Sequence, residues 1–396
     1  MKTIRFILFT ITLAVGYLNI ASAGSRGPEF VEPESLPEAF RNTMHAIVDG
    51  MNSGNIAELE QHFDFRTIGI KAGKELFNSE REYRDFATGM QTSRHNVLSS
   101  IVTQIQAAGG DMTLTGYVRR AKLVLPQVRL DLGDYGLDYI EYQLEQKSDG
   151  SYQVVDWYNL STGRMYSQTI AIGARLLIDP DPGILKKLLG ITEVDKNSLK
   201  IITAMGQARR NADFVEANRL YATLPPEIRN TRVFLEMGIG FANLANDDAL
   251  YRKRLNTLAE KHGADPSAAF LLIDHYYYEG NVDKALANIE VMERQIGKDG
   301  YTTFLKANLH VEMAGDYAGA EALYREAIDI EPYLDEPYET LAYVYILQDK
   351  FAEAVEVYQL QEKQFDVRYS ADDFFDTPEV NRFKASAEFR QWMNSP

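Results

Sequence analysis

The sequence predicts two parts of different class: an α+β N-terminal domain, in which helices are followed by an antiparallel meander sheet, and an all-α C-terminal half built as a solenoid of helical hairpins. Three observations predict this. Ala217, Tyr251, Ala285, Ala320 and Ala354 follow one another at steps of 34 or 35 residues, a period that marks stacked repeats. Upstream of Gly109-Gly110, apolar residues recur three and four apart, the spacing of one helix face. Beyond those glycines the runs Leu137–Gln146 and Tyr152–Leu160 alternate with period two, as half-buried strands do. Domains are expected at 30–178 and 184–396, behind a signal peptide at 1–23.

The chain opens with Lys2 and Arg5, runs apolar from Phe6 to Ile20, and reaches Ala21-Ser22-Ala23. A short basic stretch, an apolar core and small residues at the cut are the plan of a secretory signal peptide, with cleavage expected after Ala23. The apolar run falls short of the roughly 20 residues needed to cross a bilayer. No second such run follows, so no integral span is expected after cleavage, and the expected location is periplasmic or secreted. The sequence contains no cysteine, which excludes a lipoprotein cut, disulfides, Cys-ligated metals and thiol chemistry. Its net charge of −16, near −18 once Lys2 and Arg5 are removed, opposes binding to nucleic acid, whose phosphates carry the same sign.

Within the first domain, Ser35-Leu36-Pro37-Glu38 reads as a capping box ahead of the stripe Phe40, Met44, Ile47, Val48 and Met51. Gly54-Asn55 breaks the chain, and Ile56, Leu59 and Phe63 continue as a second helix. A third stretch from Ser79 carries Tyr83, Phe86, Ala87 and Met90, then Leu98, Ile101, Val102 and Ile105. After the glycines, Leu123–Leu130 is strand-like, and Ser148-Asp149-Gly150 joins the two alternating runs as a hairpin. Helices followed by a meander predict helices packed on one sheet face. Ser167–Leu177 is a further helix, broken at Asp179-Pro180-Asp181-Pro182-Gly183, where proline blocks continuation, and Ile184–Leu189 resumes as a short helix.

This order of elements resembles the nuclear-transport-factor-2-like or cystatin-like cone. The resemblance implies two alternatives for the domain: a carrier of a lipid or other apolar molecule between sheet and helices, or an enzyme of the isomerase or dehydratase kind. For the enzyme, Glu141 and Asp156 fall in adjacent predicted strands beside Tyr139, Tyr142, Trp157 and Tyr158. A carboxylate in an aromatic pocket has its pKa raised and serves as a general base. The competing account is that period two simply puts Asp156 on one face with Val154 and Tyr158. Arg119, Arg120 and Arg129 are candidates to pair with such acids or to hold a ligand headgroup, and Asp64-Phe65-Arg66 reads as a helix-end salt bridge.

In the second half each unit is helical. Tyr338, Leu341, Ala342 and Tyr345 form one helix face, Gln348-Asp349-Lys350 breaks it, and Phe351, Ala354, Val355 and Tyr358 mark a second helix. Tyr221, Leu255, Ile289, Tyr324 and Tyr358 form a second ladder of the same step, and Phe214, Asp248, Val282, Tyr317 and Phe351 a third. A single hairpin cannot bury such a face, so neighbours must cover it. Thr377–Met393, with Val380, Phe383, Phe389 and Trp392, reads as a closing cap.

These residues resemble the tetratricopeptide repeat. The last unit carries the family's pattern throughout; the preceding one does so through Phe304, Ala320, Tyr324, Ala327 and Pro332, with Asn308 at the usual small position. Earlier units depart further, with Ile273 where a small residue belongs and Tyr251 for Ala. The resemblance implies a non-enzymatic scaffold whose first helices line a groove for a protein or peptide segment. By position that groove presents Arg209, Asn243, Asp274, Tyr277, Tyr278, Glu312, Glu339 and Tyr343. Its acidic and aromatic character implies a basic or amphipathic partner. No Lys/Asn clamp for a terminal carboxylate is evident. The 6 histidines show no metal-ligand spacing, and no phosphate loop, nucleophile elbow or dinucleotide fingerprint occurs, so neither metal nor cofactor is expected.

Overall fold

The computed structural model describes residues 29–132, 137–178 and 195–395. The signal segment, the proline break at 179–183 and the short helix 184–189 lie outside them. Two compact units divide the chain, Met1–His275 and Tyr276–Pro396.

The first unit begins with β1 (Glu29–Phe30), α1 (Glu38–Ser53), α2 (Ile56–His62), α3 (Phe65–Leu76), α4 (Glu80–Thr92) and α5 (Arg94–Ala107). The strands β2 (Asp111–Arg120), β3 (Leu123–Asp131), β4 (Leu137–Gln146), β5 (Tyr152–Asn159) and β6 (Arg164–Met165) follow, then α6 (Tyr166–Ile178). All six strands form one antiparallel sheet in chain order, which is the expected meander. Three strands, β1, β2 and β6, were not anticipated. β1 is a two-residue edge pairing Glu29 with Arg119, and β2 hides its alternation because its register shifts between Leu114 and Gly116.

Turn chemistry sets most helix ends. Gly54 closes α1 in the left-handed region at φ 74°, and Asn55 accepts from the Glu58 amide to start α2. The expected capping box is corrected. Ser35 Oγ donates to Glu32 O at 2.7 Å and closes a short 3-10 turn, while α1 starts after Pro37 with no side-chain cap. Proline holds Leu36 extended at ψ 151°, which takes Ser35 out of capping register. Asp64 caps α3 through the Thr67 amide and receives Lys147 Nζ at 2.6 Å. Burial alone would raise its pKa, but the bonds from Lys147 and Thr67 outweigh this and hold it below the usual carboxylate range. Gly69 lets α3 cross α4 closely, since a Cβ there would sit 2.6 Å from Ala87 Cα.

One sheet face forms the main core. Val128, Ile140, Tyr142, Val154 and Trp157 pack on Met44, Ile47 and Met51 of α1, Leu59 of α2 and Leu98 and Val102 of α5. The expectation of helices on a single face is corrected. The opposite face carries Gln127, Arg129, Glu141 and Asp156, all buried, and α3 and α6 cover part of it through Lys71 and Ser167, which reach Asp156. Polar side chains that alternate along a strand read as solvent-facing, but here Glu141 is met by Arg120 and Gln127, and Asp156 by Ser167 and Lys71 of the covering helices.

The first unit continues as helices α7 (Lys196–Arg210), α8 (Phe214–Thr223), α9 (Arg232–Leu244), α10 (Asp248–His262) and α11 (Ala269–Tyr278), with the unit boundary inside α11. The second unit holds α12 (Val282–Ile296), α13 (Gly300–Leu309) extended by a π-turn at His310–Ala314, α14 (Tyr317–Ile330), α15 (Glu336–Leu347), α16 (Phe351–Phe365), α17 (Pro378–Lys384) and α18 (Ala387–Met393). Consecutive helices pack in antiparallel neighbourhoods: α7 on α8 and α8 on α9 in the first unit, α13 on α14, α14 on α15 and α15 on α16 in the second.

The ladder residues Tyr221, Leu255, Ile289, Tyr324 and Tyr358 fall in α8, α10, α12, α14 and α16, and each is buried, the most exposed being Tyr358 at 8%. The turn before each of these helices is built alike. A left-handed residue, successively Ala212, Asn246, Gly280, Gly315 and Asp349, has φ between 53° and 70°. The next residue caps the helix: Asp213, Asp247, Asn281 and Asp316 each accept from the amide three residues on. Only the fifth, Lys350, offers no cap. Asn308, at a position expected to be small, is buried and accepts from Tyr324 Oη at 2.7 Å. The four cap residues Val380, Phe383, Phe389 and Trp392 are buried.

Candidate functional site

The predicted groove residues divide by burial. In the first unit Arg209 is half-buried near the end of α7. Asn243 is buried in α9, and Asp274 is buried in α11, where it accepts from Tyr251 Oη at 2.5 Å. These two are interior groups rather than surface ones, because the helix face that carries them is covered. In the second unit Tyr277, Tyr278, Glu312 and Tyr343 are half-buried and Glu339 is exposed.

The tyrosines there are tied to carboxylates on the next first helix. Tyr277 Oη donates to Glu312 Oε2 at 2.8 Å, and the Tyr277 and Tyr278 rings meet edge-on at 5.7 Å. Tyr343 Oη donates to Glu379 Oε1 at 2.7 Å. Burial and the neighbouring carboxylate push Tyr343 up to about 12, while the same hydrogen bond holds Glu379 below the usual carboxylate range. Tyr343 is therefore a donor and Glu379 an anion at neutral pH. Glu379 was missed in the sequence; its signal was the Thr377-Pro378 helix start one repeat beyond Tyr343.

Three cations of this unit are paired away from these carboxylates. Lys306 pairs with Glu293 at 2.5 Å, Lys298 with Glu326 at 2.5 Å, and Arg325 with Glu321 at 3.5 Å. Among the described residues, no lysine or arginine lies within ion-pair distance of Glu312, Glu339 or Glu379. The face is acidic and aromatic.

On the sheet, Glu141 and Asp156 do not converge. Glu141 pairs across strands with Tyr158, and Asp156 with Gln143. Glu141 takes a bidentate grip from Arg120 at 2.7 and 2.5 Å. Asp156 accepts from the Trp157 and Ser167 amides, both at 3.0 Å, and from Ser167 Oγ at 2.6 Å, with Lys71 at 3.7 Å. Burial raises the Asp156 pKa, against the pull of Ser167 and Lys71. Internal donors thus occupy both carboxylates, and a general base needs a free lone pair aimed at substrate. Arg119 lies at the sheet edge, 3.0 Å from Glu29. Sequence reading also missed Glu236, fully buried in α9, which Arg232 grips and Arg164 approaches at 3.9 Å.

A cavity of about 80 Å³ opens between the other sheet face and the helices, walled by Met51, Phe63, Ile105, Met112, Ile140 and Trp157. Tyr142 and Tyr166 also line it, and Tyr166 stacks on Trp157 at 3.7 Å. Neither tyrosine hydroxyl has a hydrogen-bond partner among the described residues, and burial pushes both pKa values up, so both stay protonated. Asp138, on the same wall, is saturated by the Tyr139 and Ser161 amides, Asn159 and Ser161 Oγ.

Among the described residues, no helix is long and apolar enough to cross a membrane. Compared with known proteins, the chain matches no family model, and no curated protein is significantly similar to it.

Proposed function

We propose that the chain is an exported, non-enzymatic scaffold of the tetratricopeptide type, which holds a protein or peptide segment of the cell envelope on its first-helix face. One observation carries this reading. The helical turn recurs with a left-handed residue and a buried seam position at all five steps from Ala212 to Asp349, and with a side-chain cap at the first four, as units that bury their faces only against neighbours require. The apolar, basic-led segment before Gly24 supports export. Glu141 and Asp156 hold the sheet together in this reading and take no part in catalysis.

The test is crosslinking in the native envelope, comparing the wild-type chain with Tyr277→Ala/Tyr343→Ala. Truncated interface tyrosines cost on the order of 1–2 kcal/mol each, so capture should fall at least ~10-fold while the melting temperature barely moves. An unchanged set of crosslinked partners would count against the groove.

The cavity favours a second reading, a carrier of a small apolar molecule with one hydrogen-bond acceptor. Its volume is about 80 Å³, against roughly 150 Å³ for a cavity that admits benzene. It suits the end of an alkyl chain and not a whole lipid. Calorimetric titration with a medium-chain ketone should show binding that weakens ~10-fold in Tyr142→Phe, where one hydrogen bond is lost; absence of heat across the chain-length series sinks this reading.

A further inference from the structure

The alanine ladder steps by 34, 34, 35 and 34 residues, and the long step runs from Ala285 to Ala320. The backbone shows where the extra residue sits. In four of the five ladder turns, the residue just before the second helix donates its amide five residues back. Asp213 reaches Ala208, Asp247 reaches Ala242, Asn281 reaches Tyr276 and Lys350 reaches Tyr345, at 2.8–2.9 Å. Asp316 instead donates six residues back, to His310 O at 2.9 Å. The π-turn His310–Ala314 fills this longer loop, so the extra residue lies between His310 and Asp316.

Both flanks are pinned, so neither helix can turn to absorb it. Upstream, Phe304, Leu305 and Ala307 are buried and Asn308 accepts from Tyr324; downstream, Ala320, Tyr324 and Ala327 are buried. The extra residue therefore decides what stands four residues before Asp316. The matching place holds Arg209, Asn243 and Tyr277 in the earlier turns, and here it holds Glu312, which accepts from Tyr277 Oη at 2.8 Å. With one residue fewer, Val311 would take that place and Glu312 would move about 100° round the helix. The hairpin that follows, of regular length, holds Ile346 there, fully buried. An apolar side chain at this place is thus compatible with the fold, and the carboxylate is an addition to it.

Resting on the scaffold reading, we infer that the extra residue is a specificity device of the first-helix face: it sets the Glu312 carboxylate against Tyr277, where the regular length would set Val311. A π-turn is a rare break in an α-helix and is found mostly where function needs a side chain re-aimed. Glu312 is then a residue by which this face selects its partner, and the irregular turn is what positions it.

The experiment compares the full chain with three variants: deletion of Met313, which restores the 34-residue step, deletion of Gln348 from the regular hairpin that follows, and Glu312→Val, which keeps the π-turn. Purified chains are melted, and capture is read by crosslinking in the native envelope. Deletion of Met313 should leave the melting temperature level or raised. Deletion of Gln348 should lower it by more than ~5 °C, because it turns a packed helix about 100° against its neighbour. Deletion of Met313 and Glu312→Val should each cut capture of the wild-type chain's partners at least ~10-fold. Equal melting losses for the two deletions, or wild-type capture by the Met313 deletion or by Glu312→Val, overturn the inference. Should Tyr277→Ala/Tyr343→Ala lose capture while both of these variants keep it, the scaffold stands and the role of the extra residue falls. Should Tyr277→Ala/Tyr343→Ala capture as the wild type does, it is the scaffold reading that falls.

Discussion

Trp392→Ala is expected to destabilise the second unit by about 3–5 kcal/mol, the range for removing a large buried aromatic. Trp392 lies flat on Tyr358 at 5.4 Å and 9°, and meets Phe374 and Phe389 edge-on at 5.9 and 5.8 Å. Its Nε1 donates to Glu362 at 3.1 Å. Rings so arranged cannot close over the gap, because each is already held by another ring: Phe383, for one, touches Tyr358, Phe374 and Phe389. Urea unfolding followed by circular dichroism should show the second unit's transition moved to lower denaturant and the first unit's unmoved. Trp392→Phe should recover more than half of the loss. A loss below ~1 kcal/mol would show that α17 and α18 merely rest on the unit instead of completing its core.

Arg254→Ala is expected to cost the first unit a similar ~3–5 kcal/mol, from an unsatisfied oxygen added to a cavity. Arg254 is 5% exposed and has no carboxylate within ion-pair distance among the described residues. Burial pulls its pKa down to about 10, so it is still charged at neutral pH. Oxygen atoms and a ring stabilise that charge. It donates to Asn218 Oδ1 at 2.5 Å and to Gly238 O, and it covers the Tyr221 ring. Gly238 admits this arrangement, since a Cβ there would lie 2.6 Å from Tyr221 Cζ. Removing the guanidinium orphans the buried Asn218 amide oxygen and strips the Gly238 carbonyl of its side-chain bond. Arg254→Met, which keeps the stem's volume, should lose less than alanine, and equal losses in the two variants would show that the hydrogen bonds carry the whole effect.

How much of this was legible in the sequence follows from distance along the chain. The hairpin Leu137–Gln146 to Tyr152–Asn159 was readable because alternation and the Asp149-Gly150 turn act over a few residues. The helix breaks at Gly54-Asn55 and at Gln348-Asp349-Lys350 were readable for the same reason. The caps Asp213, Asp247, Asn281 and Asp316 were equally local, and their shared step with the alanine ladder was there to be seen. Ser35 misled because a capping signature says nothing of the proline that follows it. α3 escaped as a separate element because its start depends on Asp64, which is also held by Lys147, a residue 83 positions away.

Site residues were legible by type and not by use. Asn243 and Asp274 stand at positions that suggested a surface, and the structure covers them. Glu141 and Asp156 suggested a catalytic pair, and Arg120 and Ser167 occupy them separately. Glu379 became part of the acidic face only through Tyr343.

By itself, then, the sequence determined the period, the hairpin turns, the strand meander and the acidic, aromatic character of the second half, since each is set by spacing and backbone preference within a turn or two. Tertiary structure alone decided which side of each helix is covered, which carboxylate meets arginine or tyrosine, and where the sheet leaves a gap. A buried charge or hydroxyl is stabilised only by whatever the fold brings within about 3 Å of it, and those partners come from elsewhere in the chain.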